Sequence, residues 1–298
     1  MAACTCSKQV ALEIIQHTAN LEIWREKCRE NGQSVGFVPT MGALHTGHLE
    51  LIRRARREND VVICSVFVNP TQFNVASDLQ RYPRRPEEDM RLLREVGCDA
   101  CFLPSVEEMY PQSMDKPEIH FGKLTEVLEA SFRPGHFEGV VQVVGLFFGY
   151  VQPHRAYFGE KDFQQLAIIK AFAKWKFPHI EVVPCAIVRD SHGLALSSRN
   201  ELLSDEQRET ALFIHDSLVK LNHLRLSHTP QKAVEHIHKA FHEHPDFDLE
   251  YFEVRHPDTF ELTTDWNTPS VALVAAYLGG VRLIDNLRML PLAVTSEI

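Results

Sequence analysis

The segment Pro39-Thr40-Met41-Gly42-Ala43-Leu44-His45-Thr46-Gly47-His48 combines two glycines, two hydroxyls and two imidazoles within ten residues. His45 and His48 are three apart, so one helical turn would aim both rings at the same spot. Imidazole N–H groups can stabilise phosphate oxygens whose charge grows during displacement at an α-phosphorus. Gly42 and Gly47 let the backbone approach a ligand closely, and a helix starting here would turn its N–H groups and positive dipole end towards a phosphate. Other readings stay open from these residues alone. H-x-x-H is also a zinc pair, although the Glu of H-E-x-x-H and a nearby third ligand are missing. Thr46 is also a plain helix cap.

Three further segments carry chemistry. Phe158-Gly159-Glu160-Lys161-Asp162-Phe163-Gln164-Gln165 reads as a strand-to-helix turn, the kind that lines the ligand crevice of a parallel sheet. Lys161 can place positive charge on a triphosphate, while Gly159 and Asp162 can meet a ribose and the helix start. Asp162 and Gln165 are also a D-x-x-Q capping box. Leu194-Ala195-Leu196-Ser197-Ser198-Arg199-Asn200 offers two hydroxyls and a guanidinium to β- and γ-phosphates, or a simple hydroxyl-capped turn. Val68-Asn69-Pro70-Thr71-Gln72-Phe73 leaves an apolar strand with two amides able to grip a hydroxy acid. Turn chemistry accounts for Asn69-Pro70 but not for Gln72 beside an aromatic.

These segments need a scaffold, and the chain alternates short β-branched runs with amphipathic stretches, which predicts a parallel sheet with crossover helices. Val35 to Val38 reads as a strand stopped by Pro39, Leu49-Leu51-Ile52-Ala55 as a helix face, and Val61 to Val68 as the next strand. Pro86 opens another helix before the strand Ala100 to Leu103. Gly139 to Tyr150 and Phe163 to Trp175 read as helices, and Glu181 to Val188 as the last strand of the series. Beyond Asp190 the pattern changes to helices Asp205 to Leu224 and Gln231 to His244, then strands around Glu250 to Val254 and Val271 to Tyr277. Ser204 and Gln207 form a capping box, so the boundary falls in the loop before it. The expected organisation is an α/β domain over 1–189 and a smaller α+β domain over 190–298.

With 298 residues, 44% hydrophobic and 24% charged, the composition is that of an ordinary globular protein. A formal net charge of −9 argues against a bulk grip on nucleic acid. Arg53, Arg54, Arg56 and Arg57 read as a solvated helix face, as do His236, His238, His242 and His244. Seven cysteines is an odd count, and no secretory signal precedes them, so reduced thiols and a cytoplasmic location are expected. Cys98 and Cys101 form one C-x-x-C with no partner pair and read as core residues. No stretch reaches the ~20 apolar residues of a membrane span. The longest, Val140 to Val151, carries Gln142.

Taken together, these segments resemble the pantothenate synthetase family from about Leu12 to Asn286. Besides the four segments, Arg81-Tyr82-Pro83-Arg84 and Arg133-Pro134-Gly135-His136-Phe137 carry the resemblance, and the first eleven residues look like an extension outside it. The resemblance implies a Rossmann-like nucleotidyltransferase domain with an H-x-G-H signature, a C-terminal lid, a homodimer, and a need for ATP and Mg²⁺. It assigns Met41, Gly42, Ala43, Leu44, His45, Thr46, Gly47 and His48 to ATP, with His48 as the catalytic proton donor. Gly159, Glu160, Lys161, Asp162, Val188, Leu196, Ser197, Ser198 and Arg199 complete that set. Gln72 and Gln165 match the glutamines that hold pantoate, and Gln72 also borders β-alanine. Asn69 and Tyr82 assist, while Glu88 and Asp89 are only loose magnesium candidates. Adenylyltransferases share H-x-G-H but lack Asn69-Pro70-Thr71-Gln72, and a non-catalytic binding protein would not need His45, His48, Lys161 and Arg199 together.

Overall fold

The computed structural model describes residues 12–111 and 115–292, so the N-terminal extension, residues 1–11, lies outside the described residues. After a short strand, β1 (Glu13–Ile15), the buried stripe Leu21, Trp24 and Cys28 makes α1 (Thr18–Glu30) amphipathic. Then come β2 (Val35–Thr40), α2 (Thr46–Glu58) and β3 (Val61–Val66). Helices α3 (Ala76–Arg81) and α4 (Pro86–Glu95) lead to β4 (Ala100–Phe102) and α5 (Val106–Met109). After α6 (Glu129–Phe132), helices α7 (His136–Val151) and α8 (Phe163–Lys176) flank β5 (Arg155–Gly159) in sequence, and β6 (Glu181–Cys185) follows.

The strands form one six-stranded sheet in the order β1-β4-β3-β2-β5-β6, with parallel ladders β1–β4, β4–β3, β3–β2 and β2–β5. The strand order reverses at β2, and open α/β sheets bind ligands beyond the carboxyl ends of their strands at such a point.

β2 runs past its expected stop. The carbonyls of Ser34 and Thr40 bond to the β3 side, whereas Val35 bonds through both backbone groups to His154 before β5. Alternate residues therefore face opposite neighbours, and Pro39 faces the β5 side, where pairing ends at Phe37 with Ala156. Its missing N–H removes no ladder bond there, and pairing with β3 continues to Thr40 and Val66.

By internal contacts the chain divides into two units. The first comprises Met1–Glu118, Glu138–Phe158 and Ile169–Cys185; the second comprises Ile119–Phe137, Gly159–Ile168 and Ala186–Ile298. The division is thus discontinuous, whereas the sequence reading places one boundary after residue 189.

In the first unit, Leu49, Leu51, Ile52 and Ala55 turn one face of α2 into a core shared with Val62, Cys64, Val66, Met90 and Leu93. The arginines lie on the other faces, Arg53 pairing with Glu50, Arg54 with Glu58 and Arg56 with Asp99. Cys98 and Cys101 form no disulfide and are fully buried. Burial pushes both thiols up, Cys98 to about 12, so neither is a nucleophile at neutral pH.

The second unit holds α9 (Asp205–Leu224) and α10 (Pro230–His242) beside an antiparallel sheet of β7 (Phe247–Arg255), β8 (Ser270–Leu278) and β9 (Val281–Met289). Ser204 and Gln207 make the expected capping box, with bonds of 3.2 and 3.0 Å. β9 is absent from the sequence reading because Arg282, Asp285 and Asn286 interrupt its apolar residues. The Gly279–Gly280 turn was a legible hairpin signal, with φ of 55° and 77° at the two glycines. Of the histidines on α10, His238 turns its Nε2 to the Phe252 carbonyl at 2.8 Å. Among the described residues no helix is long and apolar enough to cross a membrane, and no group of three or more His, Cys, Asp or Glu could hold a metal ion.

Candidate active site

In the first unit the chain leaves β2 through a turn in which Gly42 and Ala43 both adopt left-handed backbone, with φ of 79° and 48°. His45 then takes the N-cap position of α2, and its Nδ1 accepts the Gly47 N–H at 3.1 Å. His48 Nδ1 in turn faces the His45 N–H at 3.4 Å, and the two rings lie 4.0 Å apart at 34°. A ring nitrogen that accepts a hydrogen bond carries no proton, so each neutral imidazole bears its proton on Nε2. Both histidines are thus set as Nε2–H donors, and the spacing does bring them together. The Gly42 amide bonds to Thr40 Oγ1, and those of Ala43 and Leu44 to Asp89. The amides of Gly42 to His45 and of Gly47 are committed inside the chain.

Gln72 ends a single 3₁₀ turn, Pro70–Gln72, behind β3. Asn69, 1% exposed, organises that turn: its Oδ1 accepts from Thr71 N–H, Thr71 Oγ1 and Tyr110 Oη, and its Nδ2 donates to Gln72 Oε1 and the Gly139 carbonyl, both at 3.1 Å. With Oε1 so engaged, the Gln72 amide is oriented, and its Nε2 meets Met41 Sδ at 3.3 Å. The structure therefore places Gln72 against the H-x-G-H turn. Tyr82, also buried, packs edge-on against Phe73 at 5.8 Å. Gly139 was not singled out by sequence, yet a Cβ there would fall 2.5 Å from the Thr71 carbonyl oxygen. Gly139→Ala should displace the turn and with it the Gln72 amide, so the KM for pantoate, which the sequence expectation places on Gln72, should rise about tenfold or more, as small misplacements of a positioning group do. Steady-state kinetics with pantoate varied would check this, and an unchanged KM would refute it.

In the second unit, Asn286 Nδ2 donates to the carbonyls of Glu160 and Lys161 at 2.8 and 3.0 Å and so fixes that turn. Lys161, Asp162 and Gln165 line a pocket of about 360 Å³, mouth included, together with Arg133 and His136. The two adjacent glutamines separate here. Both border the pocket, but Gln164 is buried and spends its amide on the Leu124 and Val127 carbonyls and the Glu129 N–H, whereas Gln165 is half-buried.

Val188 and Leu196, eight positions apart, meet through the Leu196 N–H at 3.0 Å. Arg189 clamps this hairpin with a two-pronged bond to Asp285 at 2.6 and 2.9 Å. Ser197 caps the short 3₁₀ helix Ser198–Leu202 by accepting the Arg199 N–H at 3.2 Å, the turn role left open above. Lys161 and Ser197 line one further small cavity of this unit.

Glu129 is a buried anion of the pocket. Arg282 grips it through two bonds of 2.6 and 3.0 Å, Arg133 adds a third at 3.2 Å, and Tyr251 Oη donates at 2.6 Å. Burial alone would raise its carboxyl, but the Arg282 and Arg133 charges and the Tyr251 hydroxyl outweigh it and hold the group at about 2. None of Glu129, Arg189, Asp285 or Asn286 was assigned a place in the site by sequence, and Asp89 entered only as a loose magnesium candidate, since each acts through a partner far along the chain.

A model of the family described as pantoate–β-alanine ligase matches residues 13–288. The chain belongs to the pantoate–β-alanine ligase family. The pantothenate synthetase of Bacteroides thetaiotaomicron is 46% identical over 93% of this chain and 99% of its own length. That of Thermotoga petrophila is 42% identical over 92% of this chain and 99% of its own. Among solved structures, the pantothenate synthetase of Thermus thermophilus superposes with a TM-score of 0.87 at 42% identity, covering 94% of this chain and 100% of that one. The Francisella tularensis pantoate–β-alanine ligase, complexed with β-γ ATP and β-alanine, has a TM-score of 0.79 at 35% identity, with coverage of 93% and 98%. The fold expected from sequence, a Rossmann-like parallel sheet followed by a smaller α+β domain, is that of these ligases. As a pantoate–β-alanine ligase the chain is an enzyme of C–N bond formation, acting in the synthesis of a coenzyme A precursor.

Proposed function

We propose that the chain condenses (R)-pantoate with β-alanine by way of a pantoyl-adenylate, releasing pyrophosphate and then AMP. The observation that carries this reading is the closely apposed His45–His48 pair at the carboxyl end of β2, with the Gln72 amide set against Met41. We assign Met41 to His48, Gly159 to Asp162, Val188 and Leu196 to Arg199 to ATP. Gln72 and Gln165 are assigned to pantoate, and Gln72 also to β-alanine. Residues 1–189 are the proposed ATP- and pantoate-binding domain and 190–298 the lid. A cytoplasmic homodimer, with no nucleic-acid or membrane partner, completes the proposal.

In the first step the pantoate carboxylate oxygen bonds to the α-phosphorus in line, while the bond to the bridging oxygen of pyrophosphate breaks. The chain's contribution is position and charge. His48 and His45, as Nε2–H donors, stabilise oxygens that gain charge, and Lys161 and Arg199 add fixed positive charge. In the second step the unprotonated β-alanine amine attacks the acyl carbon, the acyl–oxygen bond breaks, AMP leaves and the amine proton passes to solvent. Excluding water until then prevents hydrolysis of the mixed anhydride.

Magnesium is expected to accompany the triphosphate, retaining most of its waters. The chain supplies no built cluster for it among the described residues. Glu88 pairs with Arg91, and both Asp89 oxygens face amides of the turn after β2, so neither fits a dedicated ligand.

Pyrophosphate release from ATP and pantoate without β-alanine tests the adenylate, and an amide product formed only when β-alanine is added tests the second step. No release in the first assay would rule out the proposed order. Gln72→Ala and Gln165→Ala test the pantoate assignment. Leaving a substrate polar group unpaired costs about 1–3 kcal/mol, which weakens pantoate binding about 5- to 150-fold. Calorimetric titration should show that loss with ATP affinity retained, and the opposite pattern would move the acid elsewhere.

A further inference from the structure

Asp89 sits in the first turn of α4, behind Pro86, and is 1% exposed. A carboxylate is buried so completely only when its oxygens are well bonded. Here Oδ2 accepts the Ala43 N–H at 3.0 Å and Oδ1 accepts the Leu44 N–H at 2.7 Å. Consecutive backbone N–H groups of this kind form an anion-binding concavity, and Asp89 fills it. The backbone it holds is the left-handed pair Gly42 and Ala43, and Ala43 has a Cβ that disfavours that conformation unless its surroundings impose it. A Cβ on Gly42 would lie 2.9 Å from Asp89 Oδ2, so the glycine also admits the carboxylate.

An anion beneath a turn meant to receive a triphosphate is electrostatically unfavourable, so its place there calls for a geometric role. We propose that Asp89 is a positioning residue for adenylate formation. Its carboxylate holds residues 42–44 in the shape that delivers His45 to the N-cap of α2 and His48 onto it. The inference rests on the reading of these histidines as the phosphate-binding pair. It differs from a magnesium role, because the oxygens serve the backbone.

The test is Asp89→Asn, which keeps the shape but sets an NH₂ against one of the two N–H groups. Pyrophosphate release from ATP and pantoate should lose on the order of 10²-fold in kcat, with the pantoate Kd within about twofold of the parent, as expected when catalytic groups are misplaced and substrate contacts are not. The parent kcat in the folded variant would overturn the proposal. So would recovery of the rate at raised magnesium, which would assign Asp89 to the metal, or a parallel loss of pantoate binding, which would make it a general structural residue. If Asp89→Asn fails to fold, Gly42→Ala decides, since its Cβ displaces the same carboxylate and should produce the same split. His48→Ala runs alongside. If that variant keeps full release, the reading of the histidines fails; if it loses release while Asp89→Asn does not, only the positioning role fails.

Discussion

His48→Ala is expected to lower pyrophosphate release from ATP and pantoate by about 10²–10³-fold, the usual cost of removing one preorganised donor to developing charge. The geometry behind that expectation is the acceptor role of His48 Nδ1 towards the His45 N–H, which leaves the proton on Nε2. The substitution also deletes half of the capping arrangement at the start of α2, so a stability loss of about 1 kcal/mol should accompany it. That loss is too small to unfold the protein and can be read separately by thermal melting. Calorimetry with pantoate alone should match the parent, because Gln72 keeps its bonds to Asn69 and Met41. A folded variant with near-normal pyrophosphate release would sink the assignment.

The second large effect concerns stability. Glu129→Ala strips the carboxylate from Arg282, Arg133 and Tyr251, and breaking a buried pair in this way costs about 3–5 kcal/mol. The same group gives a pH signature whose sign follows from its depressed value. Glu129 titrates at about 2 in the folded chain against an ordinary 4.5. Between those values the unfolded chain binds the proton and the folded chain does not. The stabilisation is therefore complete above pH 4.5 and is lost as the pH falls towards 2. Roughly 2 kcal/mol of it should disappear between pH 7 and pH 3. Urea unfolding of the parent and of Glu129→Gln at both pH values isolates this contribution, since other carboxylates titrate in both proteins. Equal losses on acidification would show that the Arg282 pair does not hold the group down.

Sequence by itself determined the strongly periodic elements, though not β9, and the identity of the chemical groups. Local periodicity marks α2, β3 and α9, because the face a residue presents depends on its near neighbours alone. The Ser204–Gln207 capping box is local in the same sense. The H-x-G-H turn was legible because both histidines fall within one helical turn of each other. What sequence could not supply are pairings whose members lie far apart. Asp89 holds Ala43 across 46 positions, Arg189 meets Asp285 across 96, and Arg282 reaches Glu129 across 153. Pro39 reads as a strand stop until the pairing on its β5 side is known to end at Phe37 with Ala156. Gln164 and Gln165 are identical as letters and both border the pocket, and only the folded chain commits the amide of the first to the carbonyls of Leu124 and Val127. Such choices belong to tertiary structure because a buried polar group is satisfied by whichever partner the packing brings within about 3 Å, and no local pattern records who that partner is.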